Sequence, residues 1–295
     1  MQTIEQERHS WLKLTVVLLW ISIWATVTAL AGNNDVTINY DDPKMVALIY
    51  ISQIFSVIIL FIAPAILIAI FWTKSRIRFL GIISKPRLTT LIFAGLGILF
   101  AVPLIDWLSE LNQQMHLPSA LSGVENWMKS TEAKAGEMTV VFTRGTSIGS
   151  LFLNLFVVAF LAAFSEELFF RGLLQKIALQ CFKNKHVAVW FGAIIFSAFH
   201  MQFYGFLPRM LMGAYLGYLF VWSGSLWPGI VAHFLNNGII VFLTWLSNRG
   251  AITIDADHIS SGQNQLMYVA GSIVMVTACL YLVYRMEQKK NSLVH

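Results

Sequence analysis

The chain has 295 residues, 57% of them hydrophobic and 12% charged, with a net charge of +5 and a mean hydropathy of +0.68. A soluble globular domain carries about 25% charged residues, so this composition excludes one and indicates a polytopic membrane protein, counted in spans of roughly 20 residues. The basic excess is not a nucleic-acid signal, because the basic residues fall at the ends of apolar segments, where they report topology.

Eight apolar segments are expected, at about 11–31, 46–72, 89–108, 147–174, 187–201, 206–222, 226–247 and 265–284. The fold class is therefore all-α, a bundle of about eight transmembrane helices. The first segment is too long for the 7–15-residue core of a signal peptide and is read as a span that stays. Pro64 should kink the second, unless a neighbour satisfies the carbonyl it frees. The fifth and sixth are short, as helices buried among others can be. Cys181 and Cys279 form neither a CxxC metal pattern nor a disulfide framework.

The connections alternate in charge. Asp35, Asp41 and Asp42 lie in the first, and Lys74, Arg76, Arg78, Lys85 and Arg87 in the second. Acids return in the third (Glu110, Glu125, Glu132, Glu137) and before the last span (Asp255, Asp257), whereas Lys176, Lys183 and Lys185 mark the fourth. Arg285, Lys289 and Lys290 mark the tail. The positive-inside rule then puts both termini in the cytoplasm. The long third connection, about 109–146, mixes apolar and charged residues at rough helical spacing, and is either an interfacial helix on the outer leaflet or an ordinary loop. The chain divides into a three-span region with that connection (1–146), a core (147–247), and a last span with a basic tail (248–295).

Ionisable groups occur inside the core's apolar runs, where charge costs several kcal/mol and usually marks function. Glu166, Glu167 and Arg171 lie in LNLFVVAFLAAFSEELFFRGLL, His200 ends WFGAIIFSAFH, and His233 and Asn237 lie in WPGIVAHFLNNGIIVFLTW. Glu167 and Arg171, four apart, share a helix face and can pair. Glu166, turned by roughly 100°, is left over. His233 and Asn237 share a face, and Asn236 points elsewhere. Alone, the Glu-Glu-x-x-x-Arg cluster and the His233–Asn237 pair read equally well as polar contacts between helices, and His200 reads more readily as a satisfied polar residue at a helix end. Together they are the parts needed for peptide hydrolysis: a carboxylate as general base, an imidazole to position water, and an imidazole and an amide to stabilise an oxyanion. No serine or cysteine sits in a recognisable nucleophile setting, and HExxH is absent.

These motifs, EELFFR at 166–171, FSAFH at 196–200 and HFLNN at 233–237, occur in the order Glu-Glu-x-x-x-Arg, Phe-x-x-x-His, His-x-x-x-Asn. In this the chain resembles the CAAX prenyl protease type II and bacteriocin-processing family (CPBP, also called Abi) over about 150–245. The resemblance implies an intramembrane endopeptidase with a four-helix catalytic core. Glu166 would activate water with help from His200, His233 and Asn237 would form the oxyanion hole, and Glu167 and Arg171 would hold the site together. The substrate would be a membrane-bound or lipidated peptide, with no cofactor, no nucleic acid, and a bacterial cytoplasmic membrane as the location. Three other readings stay open: a zinc protease with Glu166, His200 and His233 as ligands, a non-catalytic immunity or scaffold protein, and an ion-coupled carrier.

Overall fold

The computed structural model describes residues 2–31, 42–73, 76–252 and 264–292. Among the described residues all regular structure is helical. The helices are α1 (Gln2–Ala31), α2 (Pro43–Trp72), α3 (Leu88–Phe100), α4 (Val102–Gln113), α5 (Ser122–Thr143), α6 (Ile148–Phe182), α7 (Lys185–Phe199), α8 (Phe206–Ser223), α9 (Trp227–Asn248) and α10 (Gln265–Ser292).

Five of these are long and apolar enough to cross a membrane: α1, α2, α6, α9 and α10. The bent pair α3–α4 makes a sixth if taken as one span. The chain is thus an integral membrane protein. Of the eight segments expected, α7 is apolar but only 15 residues long, and α8 does not meet the same test of length and composition. Asp35, Asp41, Lys74, Asp255 and Asp257, which entered the topology expectation, lie outside the described residues.

Two prolines shape the first half. Pro64 cannot donate to the Leu60 carbonyl one turn back. The helix stays continuous because a π turn at Ile58–Ile62 widens it before the proline, and because the Trp20 indole N–H donates to Leu60 O at 3.0 Å. A Trp20→Phe substitution should lower stability in detergent by about 1 kcal/mol. In a Pro64→Ala background, where residue 64 supplies its own N–H, the same change should cost less; equal costs in a double-mutant unfolding cycle would contradict this pairing. The run 89–108, expected as one span, is instead bent by 43° at Ala101. The cause is Pro103 in the first turn of α4, which removes the ladder bond to Leu99.

Of the two readings of the long third connection, 109–146, the helical one holds: the segment is mostly helical. α4 continues to Gln113, and α5 fills 22 residues. Glu125 and Lys129 pair along α5 at 2.8 Å, and Trp127 packs against Phe203 with ring centroids 5.3 Å apart. The main core forms where α1 (Leu14, Val17), α2 (Phe61, Ala65, Ala69) and α6 (Leu168 to Ile177) meet. Phe61 contacts Phe169, Phe170 and Phe199 at 5.4–5.8 Å between centroids. One side of EELFFR is therefore an aromatic packing surface, and the other carries its charges.

Candidate active site

The site is built on α6, which at 35 residues is about 52 Å long, well beyond the roughly 30 Å of a hydrocarbon core. This length lets the polar part of α6 come level with the short helix α7. The stretch Glu167–Gln175 is π-helical, and all nine of its residues are buried. π turns are rare and often lie at functional sites. Here the wider turn sits where two adjacent glutamates must reach different partners.

Glu167 is the centre of a buried cluster. Its Oε1 accepts from Arg171 Nη1 at 2.7 Å and lies 3.1 Å from His233 Nδ1. Arg171 also donates from Nη2 to Gly213 O at 3.0 Å, joining α6 to α8, and its Cζ lies 4.5 Å from the centre of the Phe196 ring. These contacts compensate two charges that would otherwise be costly to bury. α9 comes so close that a Cβ at Gly229 would lie 2.7 Å from Glu167 Oε2, so only glycine fits without displacing the carboxylate.

Glu166, one residue earlier, faces a different space. Its Oε2 lies 3.8 Å from His200 Nε2 and 3.8 Å from His233 Nε2, and has no direct hydrogen-bond partner. His233 thus lies between the two glutamates, with Glu167 on its Nδ1 edge and Glu166 on its Nε2 edge. The His233 side chain is only 3% exposed, whereas those of Glu166 and His200 are 14% and 26% exposed, so the cluster opens on the His200 side.

The second motif owes its geometry to a helix end. His200 caps α7, and Met201 turns the chain with a left-handed φ of 56°. His200 Nδ1 lies 2.8 Å from Phe196 O, one of the carbonyls left free in the last turn. A carbonyl only accepts, so Nδ1 carries the proton, and Nε2 faces Glu166. Phe196 is fully buried and packs edge-on against both imidazoles, at 4.9 Å from His200 and 5.9 Å from His233. The phenylalanine of this motif thus spaces the two rings and carries the Arg171 guanidinium on its face.

Asn237 lies one turn beyond His233 along α9. Its Nδ2 is 3.4 Å from Val158 O on α6, a long and weak contact. Asn236, expected to point elsewhere, donates to Asn237 Oδ1 at 3.1 Å. Its amide is long enough to reach back across the helix surface to its neighbour. Among the described residues no three His, Cys, Asp or Glu side chains are arranged to hold a metal ion.

Arg209 was not singled out in the sequence, although a charge within FLPRMLMGAYLGYLF gave the same warning as the other buried groups. It lies in the first turn of α8 and donates from Nη1 to Gln202 O at 3.0 Å and from Nη2 to Gln202 Oε1 at 2.8 Å. It acts electrostatically on both Glu166 and His200.

Residues 148–239, from the start of α6 to the middle of α9, match the family model described as type II CAAX prenyl endopeptidase Rce1-like. Over this segment the chain is similar to the Rce1-like family. The Rce1-like segment contains Glu166, Glu167, Arg171, His200, His233 and Asn237, and excludes α1–α5 and α10. Over 103 residues the chain is also 28% identical to the uncharacterized protein YpbD of Bacillus subtilis, covering 34% of this chain and 47% of YpbD. The chain thus spans about half the length of this curated relative. No solved structure matches.

Proposed function

We propose that this protein is an intramembrane endopeptidase that hydrolyses peptide bonds of membrane-bound or lipidated substrates with a glutamate-activated water. The observation that carries the reading is the position of Glu166 Oε2, 3.8 Å from Nε2 of two imidazoles on two other helices. That separation is too long for a direct hydrogen bond and suits a bridging water.

In this reading Glu166 takes a proton from a water held between it and His200, and the resulting hydroxide attacks the scissile carbonyl. The oxyanion accepts from Asn237 Nδ2 and from His233 Nε2 when that nitrogen carries a proton. The weak Val158 contact leaves the Asn237 amide free to turn to the substrate. Glu166 then returns its proton to the leaving amine, which closes the cycle. Glu167 and Arg171 act by position: Glu167 holds His233 Nδ1, and Arg171 holds Glu167. The match of residues 148–239 to a peptidase family's model and the apolar helices support the class of reaction. The mechanism uses no metal.

Purified protein in liposomes, incubated with a library of membrane peptides and read by mass spectrometry, should yield discrete internal cleavages. The same products should appear at the same rate after treatment with a strong zinc chelator. Loss of activity on chelation, with rescue by zinc, would instead favour the reading with Glu166, His200 and His233 as metal ligands.

A further inference from the structure

The entrance to the glutamate–histidine cluster on the His200 side carries a fixed positive charge. The Arg209 guanidinium is partly buried, and its two hydrogen bonds both go to Gln202, whose carbonyl and amide oxygen anchor it to the turn after α7. A guanidinium offers five N–H donors, so this anchoring leaves three for another ligand. The fit is close: a Cβ at Gly205 would lie 2.9 Å from Arg209 Nη2. A guanidinium held without a contacting carboxylate is costly to bury. Two carboxylates act on it from a distance, Glu166 on the inner side and Glu132 of α5 on the outer side. Glu132 is itself turned inward, towards the backbone N–H groups of Phe203 and Tyr204, and its Oε2 is buried without a partner.

We propose that Arg209 is the specificity-determining residue of the peptidase, and that it binds a carboxylate of the substrate near the scissile bond. The inference rests on the endopeptidase reading and adds to it the chemistry of the substrate. Arg209 is outside ion-pair contact with Glu166, so it does not touch the carbonyl that Glu166 attacks with water. It is still within electrostatic range, which matches a group one or two residues along an extended peptide at about 3.3–3.6 Å per residue. A planar guanidinium with spare donors suits a carboxylate, which it can bind through two parallel bonds. That carboxylate is either the free end of the chain or an acidic side chain.

The test uses three quenched fluorogenic peptides of one apolar sequence in mixed micelles. One ends in a carboxylate, one in a carboxamide, and one in a carboxamide with glutamate replacing a residue beside the cleavage point. The wild-type protein should cleave one of the two acidic peptides with a kcat/KM on the order of 10-fold or more above the neutral one. Whichever acidic peptide is preferred identifies the source of the carboxylate. In Arg209→Gln the ratio of acidic to neutral should fall to about one. Gly205→Ala, which displaces the guanidinium without altering its charge, should lower the same ratio and carries the test if Arg209→Gln fails to fold. Glu132→Gln, which removes a competing negative charge, should raise it.

Binding is measured in parallel by fluorescence anisotropy on the Glu166→Gln protein, where the same preference and the same dependence on Arg209 are expected. If no peptide is cleaved, the endopeptidase reading fails, and the anisotropy arm alone decides the role of Arg209. An acidic-to-neutral ratio that is unity in the wild type, or unchanged in both Arg209→Gln and Gly205→Ala, overturns the proposal.

Discussion

Replacing Glu166 by glutamine should lower kcat/KM for a membrane peptide by about 10²–10⁴-fold, the usual contribution of a general base, without lowering the melting temperature. The two halves of this expectation have one cause. Glu166 Oε2 is buried and has no direct hydrogen-bond partner. An amide of the same shape removes a charge that makes no direct hydrogen bond from a poorly solvated place, so the fold loses little and can gain stability. The substitution removes the proton acceptor, however, and an amide cannot replace it. Groups kept at a cost to stability are the ones that function requires. If Glu166 served only to hold helices together, the opposite pattern would appear, with a lower melting temperature and activity falling only as the protein unfolds. Thermal unfolding in detergent, measured on the sample used for kinetics, separates the two.

The second large effect is on stability. Arg171→Met should destabilise the protein by about 3–5 kcal/mol, because it leaves the Glu167 carboxylate buried with only His233 as a partner. It also releases the Gly213 carbonyl and empties the face of Phe196. Combining it with Glu167→Leu should recover most of that loss, since an apolar pair of similar volume is often as stable as a buried ion pair. Cleavage should not recover, because His233 then has no acceptor for Nδ1 and can turn. Recovery of both stability and activity in the double variant would show that the pair is only structural.

The charges of the site were legible in the sequence because lipid makes them conspicuous. The spacing of Glu167 and Arg171 also predicted their pairing, which the structure contains at 2.7 Å. The relation between the two glutamates was less visible. A regular helix turns Glu166 away from Glu167 by a fixed angle, but the π stretch beginning at Glu167 and the approach of α9 at Gly229 let both flank a single imidazole. Such a register change depends on packing and has no local signature. Pro103 did have one, yet the apolar run continues past it, and hydropathy alone reads one span where the chain bends by 43°. Arg209 carried the same warning as the other charges, but its place was not legible: the turn after His200 folds α8 back onto α7 and brings a residue nine positions later beside Gln202. The role of Phe196 likewise depends on three partners from three helices.

The central claim is that Glu166 and His200 act on the same water. The most direct test is a kinetic cycle of single-turnover cleavage rates for the wild type, Glu166→Gln, His200→Ala and the double variant. Groups that work as a unit show strongly non-additive effects, so the double variant should be about as slow as the slower single variant. Losses that multiply, so that the double variant falls by the product of the two single factors, would mean that the carboxylate and the imidazole act independently and would contradict the account.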